Sequence, residues 1–173
     1  MMPLTAKTPK PLLKVKGKAL IDYVLESLPS EVNEIIIVTK YRGNQIRMHV
    51  GGDYRGREVK YVEGSDKGNA YSFRATRKYL NNERFLLIYG DEMPTPENVK
   101  RCVAKNLSVL VFGPKTKDGV MVLNTDIFDY HLVCPDFSVL VDWFIWLHKV
   151  PLIKAKNFVG EINTPKDIER LNG

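Results

Sequence analysis

Cysteine is scarce in this 173-residue sequence. There are only Cys102 and Cys134, with three histidines, no Cys-x-x-Cys pair and no cysteine–histidine cluster. A disulfide framework and a structural zinc site are therefore not the defaults, and both cysteines are expected in the core. No apolar run reaches the roughly 18–20 residues of a membrane-spanning helix, and the start is polar and lysine-rich rather than signal-like. The expectation is a cytoplasmic protein with no membrane partner. Internal repeats, low-complexity segments and composition shifts are also lacking, so residues 1–173 read as one domain. Acid is missing near the start: Lys7, Lys10, Lys14, Lys16 and Lys18 all precede the first acidic residue, Asp22. Taking these five from the 26 basic residues leaves 21 against 20 acidic ones, so most of the net charge of +6 sits in this head. Such a head suits a small anionic ligand or a solvated basic loop. A duplex-binding protein spreads its cations along a stripe, so no nucleic-acid partner is expected.

What the chain does have is alternation. Lys18–Leu28 sets Leu20, Val24 and Leu28 on one helical face and stops at Pro29. Glu34–Thr39 is a β-branched run of the kind buried on both faces of a sheet. A helix is predicted near 44–50, a turn at Gly51-Gly52-Asp53 and a strand over Val59–Val62. The pattern repeats with a helix from Asn69 to Leu80, an apolar strand Phe85–Tyr89 ending at Gly90-Asp91-Glu92, a helix over 94–105, and strands at Ser108–Phe112 and Val120–Leu123. This order predicts an α/β fold, Rossmann-like, with a mostly parallel sheet and helices on both faces. Val139–Leu147 is apolar except for Asp142, so its helix is expected either in the core or against another subunit of a homo-oligomer. Thr164-Pro165-Lys166-Asp167 is a strong helix start.

Ligands of such sheets bind beyond the carboxyl ends of the strands, which selects the polar residues there. Asp91 follows an apolar strand and a glycine, and its carboxylate suits Mg²⁺ shared with phosphate oxygens; a solvated turn acid is the plainer alternative. Pro9-Lys10-Pro11 pins one ammonium between two prolines. Glu161, ahead of the Thr164 cap, is either a second oxygen ligand or half of a salt bridge. The stretch from Glu63 to Asn69 joins a strand to a helix, where amides of Gly68 and Asn69 suit a base or phosphate, unless Asn69 simply caps the helix.

Order and spacing say more than any one of these. Residues 3–20, with Pro-Lys-Pro-Leu before a glycine turn and a helix, the strand-Gly-Asp at 86–91 and the Gly-Glu-Ile-Asn-Thr-Pro run from Gly160 together resemble the sugar-phosphate nucleotidylyltransferases. The resemblance implies that Asp91 and Glu161 hold a catalytic Mg²⁺, that Lys10 neutralises phosphates, and that Glu63, Gly68 and Asn69 bind the nucleotide. The implied reaction condenses a nucleoside triphosphate with a sugar 1-phosphate or similar phosphate ester, releasing pyrophosphate, as in sugar-nucleotide biosynthesis. Two other classes compete. One is a non-catalytic nucleotide-binding or regulatory paralogue. The other is a glycosyltransferase, disfavoured because Asp91-Glu92-Met93 is not Asp-x-Asp.

The sequence also departs from the family. The opening strand and the Gly-Gly-x-Gly-Thr-Arg triphosphate loop are not in it, and Met1-Met2-Pro3-Leu4-Thr5 fits the slot just after that arginine. Met1 is accordingly expected to be an internal methionine, which in-frame codons upstream would decide. Without such a strand, two neighbouring strands would keep unpaired backbone groups. Gly64 stands at the family's base-reading glutamine, and Gly68-Asn69-Ala70-Tyr71 replaces Gly-Thr-Ala-Gly, which leaves base and acceptor open.

Overall fold

The computed structural model describes residues 4–81, 84–112, 116–130, 136–157 and 162–173, those at 116–118 by backbone alone. Its first strands, β1 (Lys14–Val15) and β2 (Lys18–Ala19), form a small hairpin. The turn between them puts Lys16 at φ 50° and Gly17 at φ 78°, the positive angles that a two-residue hairpin turn of the right twist requires. Helix α1 (Leu20–Ser27) buries Leu20, Ile21, Val24 and Leu25 and ends before Pro29.

Three strands form one sheet. Strand β3 (Glu34–Thr39) leads through helix α2 (Gly43–Val50) and the short β4 (Asp53–Tyr54) to β5 (Arg57–Glu63). β3 and β5 are parallel from Glu34 opposite Glu58 to Thr39 opposite Glu63, and β4 closes the far side antiparallel to β5. Ile35 and Val59 pack with Ile21, Leu25 and Ile46, so α1 and α2 cover one face.

Helix α3 spans only Asn69–Arg74, shorter than the predicted 69–80. Thr76 is the reason: its hydroxyl donates to the Phe73 carbonyl at 2.7 Å, competing with the helical ladder, and the chain continues as a 3₁₀ turn at Arg77–Tyr79. Strand β6 (Arg84–Ile88), helix α4 (Pro96–Val103), strands β7 (Ser108–Phe112) and β8 (Thr116–Asn124), helix α5 (Phe137–His148), strand β9 (Leu152–Lys154) and helix α6 (Pro165–Asn172) complete the order. The second sheet runs β6-β8-β7-β9. β8 turns back after β7 and is antiparallel to both its neighbours, while β9 is parallel to β7. The expected α/β class is therefore realised in mixed sheets.

Side-chain alternation explains how helices cover both faces of the second sheet. Val120 and Val122 of β8 pack with Leu110, Val99 and Cys102 under α4, whereas Met121 and Leu123 pack with Val109, Leu140 and Phe144 under α5. Cys102 is buried as expected, and Cys134 lies outside the described residues. Helix α5 is capped by Asp136, whose carboxylate accepts from the amides of Ser138 and Val139. It buries Phe137, Leu140, Val141 and Phe144 but leaves Val139, Trp143, Trp146 and Leu147 exposed, so only one of its faces is core. No described helix is long and apolar enough to cross a membrane.

Candidate active site

Residues 6–12 cross the carboxyl ends of two strands. Past β3, the Tyr41 hydroxyl and the Arg42 guanidinium donate to the Ala6 carbonyl at 2.7 and 3.1 Å, and the Gln45 side chain donates to that of Lys7. Pro9 is buried and extended at ψ 145°, after which Lys10–Leu12 make a 3₁₀ turn closed by amides of Leu12 and Leu13 on the carbonyls of Pro9 and Lys10. Two prolines and this turn fix the stem of Lys10, so its ammonium loses little further freedom on meeting a ligand. Its Nζ lies 2.6 Å from Asp91 Oδ2 and donates to Asn163 Oδ1 at 3.1 Å.

Asp91 follows β6 by three residues. A Cβ built on Gly90 would meet Pro11 Cγ at 3.7 Å, so the Pro11 ring lies over this turn. Gly119 of β8 backs it from the other side: a Cβ there would come within 2.7 Å of the Tyr89 ring and 2.9 Å of Glu92 Cγ, closer than packing allows. Burial first, then the charges of Asp91, Glu92 and Asp136, push the Tyr89 phenol up to about 12. The phenol therefore stays neutral, and the same three carboxylates give this end of the sheet a negative field. The Lys10 ammonium is seated on Asp91, whose hard carboxylate oxygens are of the kind that could hold a divalent ion. No group of three or more His, Cys, Asp or Glu side chains converges as a metal cage among the described residues.

Asn163 reaches Lys10 because α6 holds it there. The Asp167 carboxylate accepts from the amides of Asn163 and Thr164 at 3.0 and 2.7 Å and from the Thr164 hydroxyl, while the Asp167 amide donates back to that hydroxyl. This is a capping box, formed at the helix start that the sequence predicts. Ile162 and Ile168 anchor the segment beside Leu13, Val15 and Leu20. Hydrogen bonds from the Thr164 hydroxyl, then from the Thr164 and Asn163 amides, hold the Asp167 carboxyl below its ordinary range. A lowered folded value means the box stabilises the fold above the unfolded value and is lost as pH falls through the folded one. Amide exchange across α6 should accelerate below about pH 4, and Asp167→Asn should show that acceleration already at neutral pH. Unchanged exchange in the variant would contradict the role of the carboxylate. Glu161 lies outside the described residues.

The remaining sequence candidates sit at the end of β5. Glu63 is exposed and pairs in register with Thr39, and the Gly64 amide donates to the Thr39 carbonyl at 2.8 Å. A Cβ on Gly64 would meet Ser72 Oγ at 3.2 Å and Lys40 Cβ at 3.3 Å, which gives this glycine a packing reason. Lys40 pairs with Asp66 at 2.7 Å and ties the loop to β3. Gly68, at φ 118°, is the N-cap of α3, so Asn69 is the first helical residue and does not cap by its side chain, contrary to that reading of the sequence. The structure thus brings Lys10 and Asp91 into contact, sets Glu63 at the carboxyl end of β5 with Gly68 and Asn69 beyond it, and adds Asn163, Tyr89 and Gly119. Asn163 was visible in the sequence only as a member of the Gly160–Asp167 run.

A family profile described as nucleotidyl transferase matches residues 1–129, well over half of the chain. The chain belongs to the nucleotidyl transferase family. Among curated relatives, the bifunctional IPC transferase and DIPP synthase of Rubrobacter xylanophilus is 35% identical over 97 residues, 54% of this chain and 22% of that protein. Among solved structures, the 4-diphosphocytidyl-2C-methyl-D-erythritol synthase of Anaerococcus prevotii superposes with a TM-score of 0.77 at 18% identity, covering 94% of this chain and 88% of that one. The Mycobacterium tuberculosis protein Rv0371C in complex with manganese gives 0.70 at 17% identity, covering 97% and 94%. At these identities the structural likeness concerns the fold. The chain spans 21% to 44% of the length of the curated relatives it matches.

Proposed function

We propose that this chain carries nucleotidylyl transfer from a nucleoside triphosphate to a sugar 1-phosphate or similar phosphate ester. The observation that carries the reading is the Lys10–Asp91 contact, tied down by Asn163, beyond the carboxyl ends of the strands. Asp91, with Glu161, would hold Mg²⁺, which would supply neutralisation of the charge on the triphosphate. Lys10 then exchanges Asp91 for a phosphate oxygen. Asn163 keeps its ammonium directed, and Glu63, Gly68 and Asn69 receive the nucleoside end. An oxygen of the acceptor phosphate forms the new bond to the α-phosphorus while the bridging bond to the β-phosphate breaks, and its electrons leave with pyrophosphate. Such catalysis is chiefly positioning and charge neutralisation, and it needs no basic side chain of raised pKa.

The test is pyrophosphate release with each nucleoside triphosphate and a panel of sugar and polyol phosphates in Mg²⁺. Release that depends on both substrates supports transfer. Triphosphate binding without release under every pairing would replace it with the non-catalytic paralogue. Lys10→Ala is expected to weaken triphosphate binding by about 1.5–3 kcal/mol, the range of a hydrogen bond to a charged group, or roughly 10- to 150-fold in Kd. Equal titration curves for variant and parent would remove Lys10 from the site.

The exposed stripe of Val139, Trp143, Trp146 and Leu147, flanked by Leu152, supports a further assignment, that α5 meets a second copy of the chain. Sedimentation of the parent should show a dimer that Trp146→Glu dissociates. A parent that remains monomeric over the accessible concentrations would contradict it.

A further inference from the structure

The loop that leaves β5 and enters α3 is tied at its ends by main-chain bonds. The Gly64 amide donates to the Thr39 carbonyl of β3 at 2.8 Å, and the Gly68 carbonyl accepts from the Ser72 amide at 3.1 Å. Its middle is held by a side chain. Ser72 Oγ accepts from the Ser65 amide at 2.9 Å and lies 3.0 Å from the Gly68 carbonyl oxygen and 3.5 Å from that of Ser65. A hydroxyl has one proton to donate, and the shorter contact places it on Gly68. One half-buried side chain therefore joins the incoming arm of the loop to the outgoing one.

Part of this is ordinary helix chemistry. A serine within a helix often donates to the carbonyl four positions back, which accounts for the bond to Gly68. The bond from the Ser65 amide, seven positions back, lies outside that habit. Gly68 supplies the reason for it: at φ 118° and ψ 178° it occupies a region open to glycine, and glycine moves readily to others, so its carbonyl stays in place only while something holds it. Lys40 adds a second tie, donating to the Ser65 carbonyl at 3.3 Å and pairing with Asp66 at 2.7 Å. That pair is more than half exposed on the lysine and almost wholly exposed on the acid, so water and salt screen it and Ser72 is the stronger tie.

We propose that Ser72 is a positioning residue for the nucleoside. Its hydroxyl fixes the separation of Ser65 and Gly68 and so presents Gly68 and Asn69 in one arrangement before a ligand arrives. The inference rests on the reading of nucleotidylyl transfer, in which Glu63, Gly68 and Asn69 receive the nucleoside end. A loop already held gives up less freedom on binding, and the difference appears as affinity. The phosphates are assigned elsewhere, to Lys10 and Asp91, and among the described residues no bond links that pair to Ser72. Ser72 should thus affect ligands that carry a nucleoside and spare those that do not.

Calorimetric titration in Mg²⁺ separates the two, using the nucleoside triphosphate that the parent binds most tightly and tripolyphosphate, which has no nucleoside. Ser72→Ala is expected to weaken binding of the nucleoside triphosphate about three- to tenfold, the worth of one neutral hydrogen bond, and to leave tripolyphosphate at its parent Kd. Ser72→Thr should restore the first, because a threonine hydroxyl in a helix reaches the same carbonyl. Parent-like nucleotide binding by Ser72→Ala would overturn the inference. Equal losses for both ligands, the mark of a fold merely loosened, would do the same, as would Ser72→Thr binding no tighter than Ser72→Ala. Each of these results leaves nucleotidylyl transfer standing when the parent binds both ligands. A parent that binds neither would remove that reading and the inference with it.

Discussion

Asp91→Asn is expected to abolish the divalent dependence of triphosphate binding and to lower turnover by at least about a hundredfold. The substitution keeps the shape of the side chain and removes the charge that an ammonium now occupies at 2.6 Å. The turn that carries it is held by packing, with the Pro11 ring over the preceding glycine and Tyr89 packed on Gly119. The fold should therefore survive, with a Tm near that of the parent. A neutral amide holds Mg²⁺ poorly, and Lys10, released from its partner, cannot replace a dication between phosphates. Titrations of triphosphate with and without Mg²⁺ measure the loss. Full Mg²⁺ dependence in the variant would take Asp91 out of the site.

Phe144→Ala should be the most damaging single truncation. Phe144 is fully buried, packs in the cluster that contains Val109, Met121, Leu140 and Val141, and stacks on His148 with centroids 4.3 Å apart. Removing a buried phenyl ring costs about 3–5 kcal/mol, the transfer energy plus the cavity left behind. For a chain of this size that is roughly a 10 °C fall in Tm. Met48→Ala is the matched comparison, since Met48 is 79% exposed and its loss should stay within about 0.5 kcal/mol. Equal melting shifts in the two variants would mean that α5 does not pack as described.

What could be read from the sequence was local. The β-branched run at 34–39, the apolar run before Gly90 and the Thr-Pro-Lys-Asp helix start each carry their own periodicity or cap, and β3, β6 and α6 lie where those signals put them. Non-local pairing could not be read. β9 is three residues long and exists because β7 accepts it, and β8 runs antiparallel because the chain turns back after Phe112. The near-continuous apolar run in α5 hid its two faces, since Trp143 and Trp146 have the composition of core and the position of surface. At the site, Lys10 and Asp91 were legible from prolines and a strand end. Their contact, and the bond from Lys10 to Asn163 across 153 positions, depend on how the capping box of α6 meets the amino-terminal segment.

The proposed site requires Lys10 and Asp91 to share a polyphosphate through a divalent ion. An anomalous map of crystals grown with Mn²⁺ and a non-hydrolysable nucleoside triphosphate tests it most directly. Manganese is expected on the Asp91 carboxylate, with Lys10 Nζ moved from Asp91 onto a phosphate oxygen. Manganese bound elsewhere, with the Lys10–Asp91 pair intact beside the nucleotide, would contradict it.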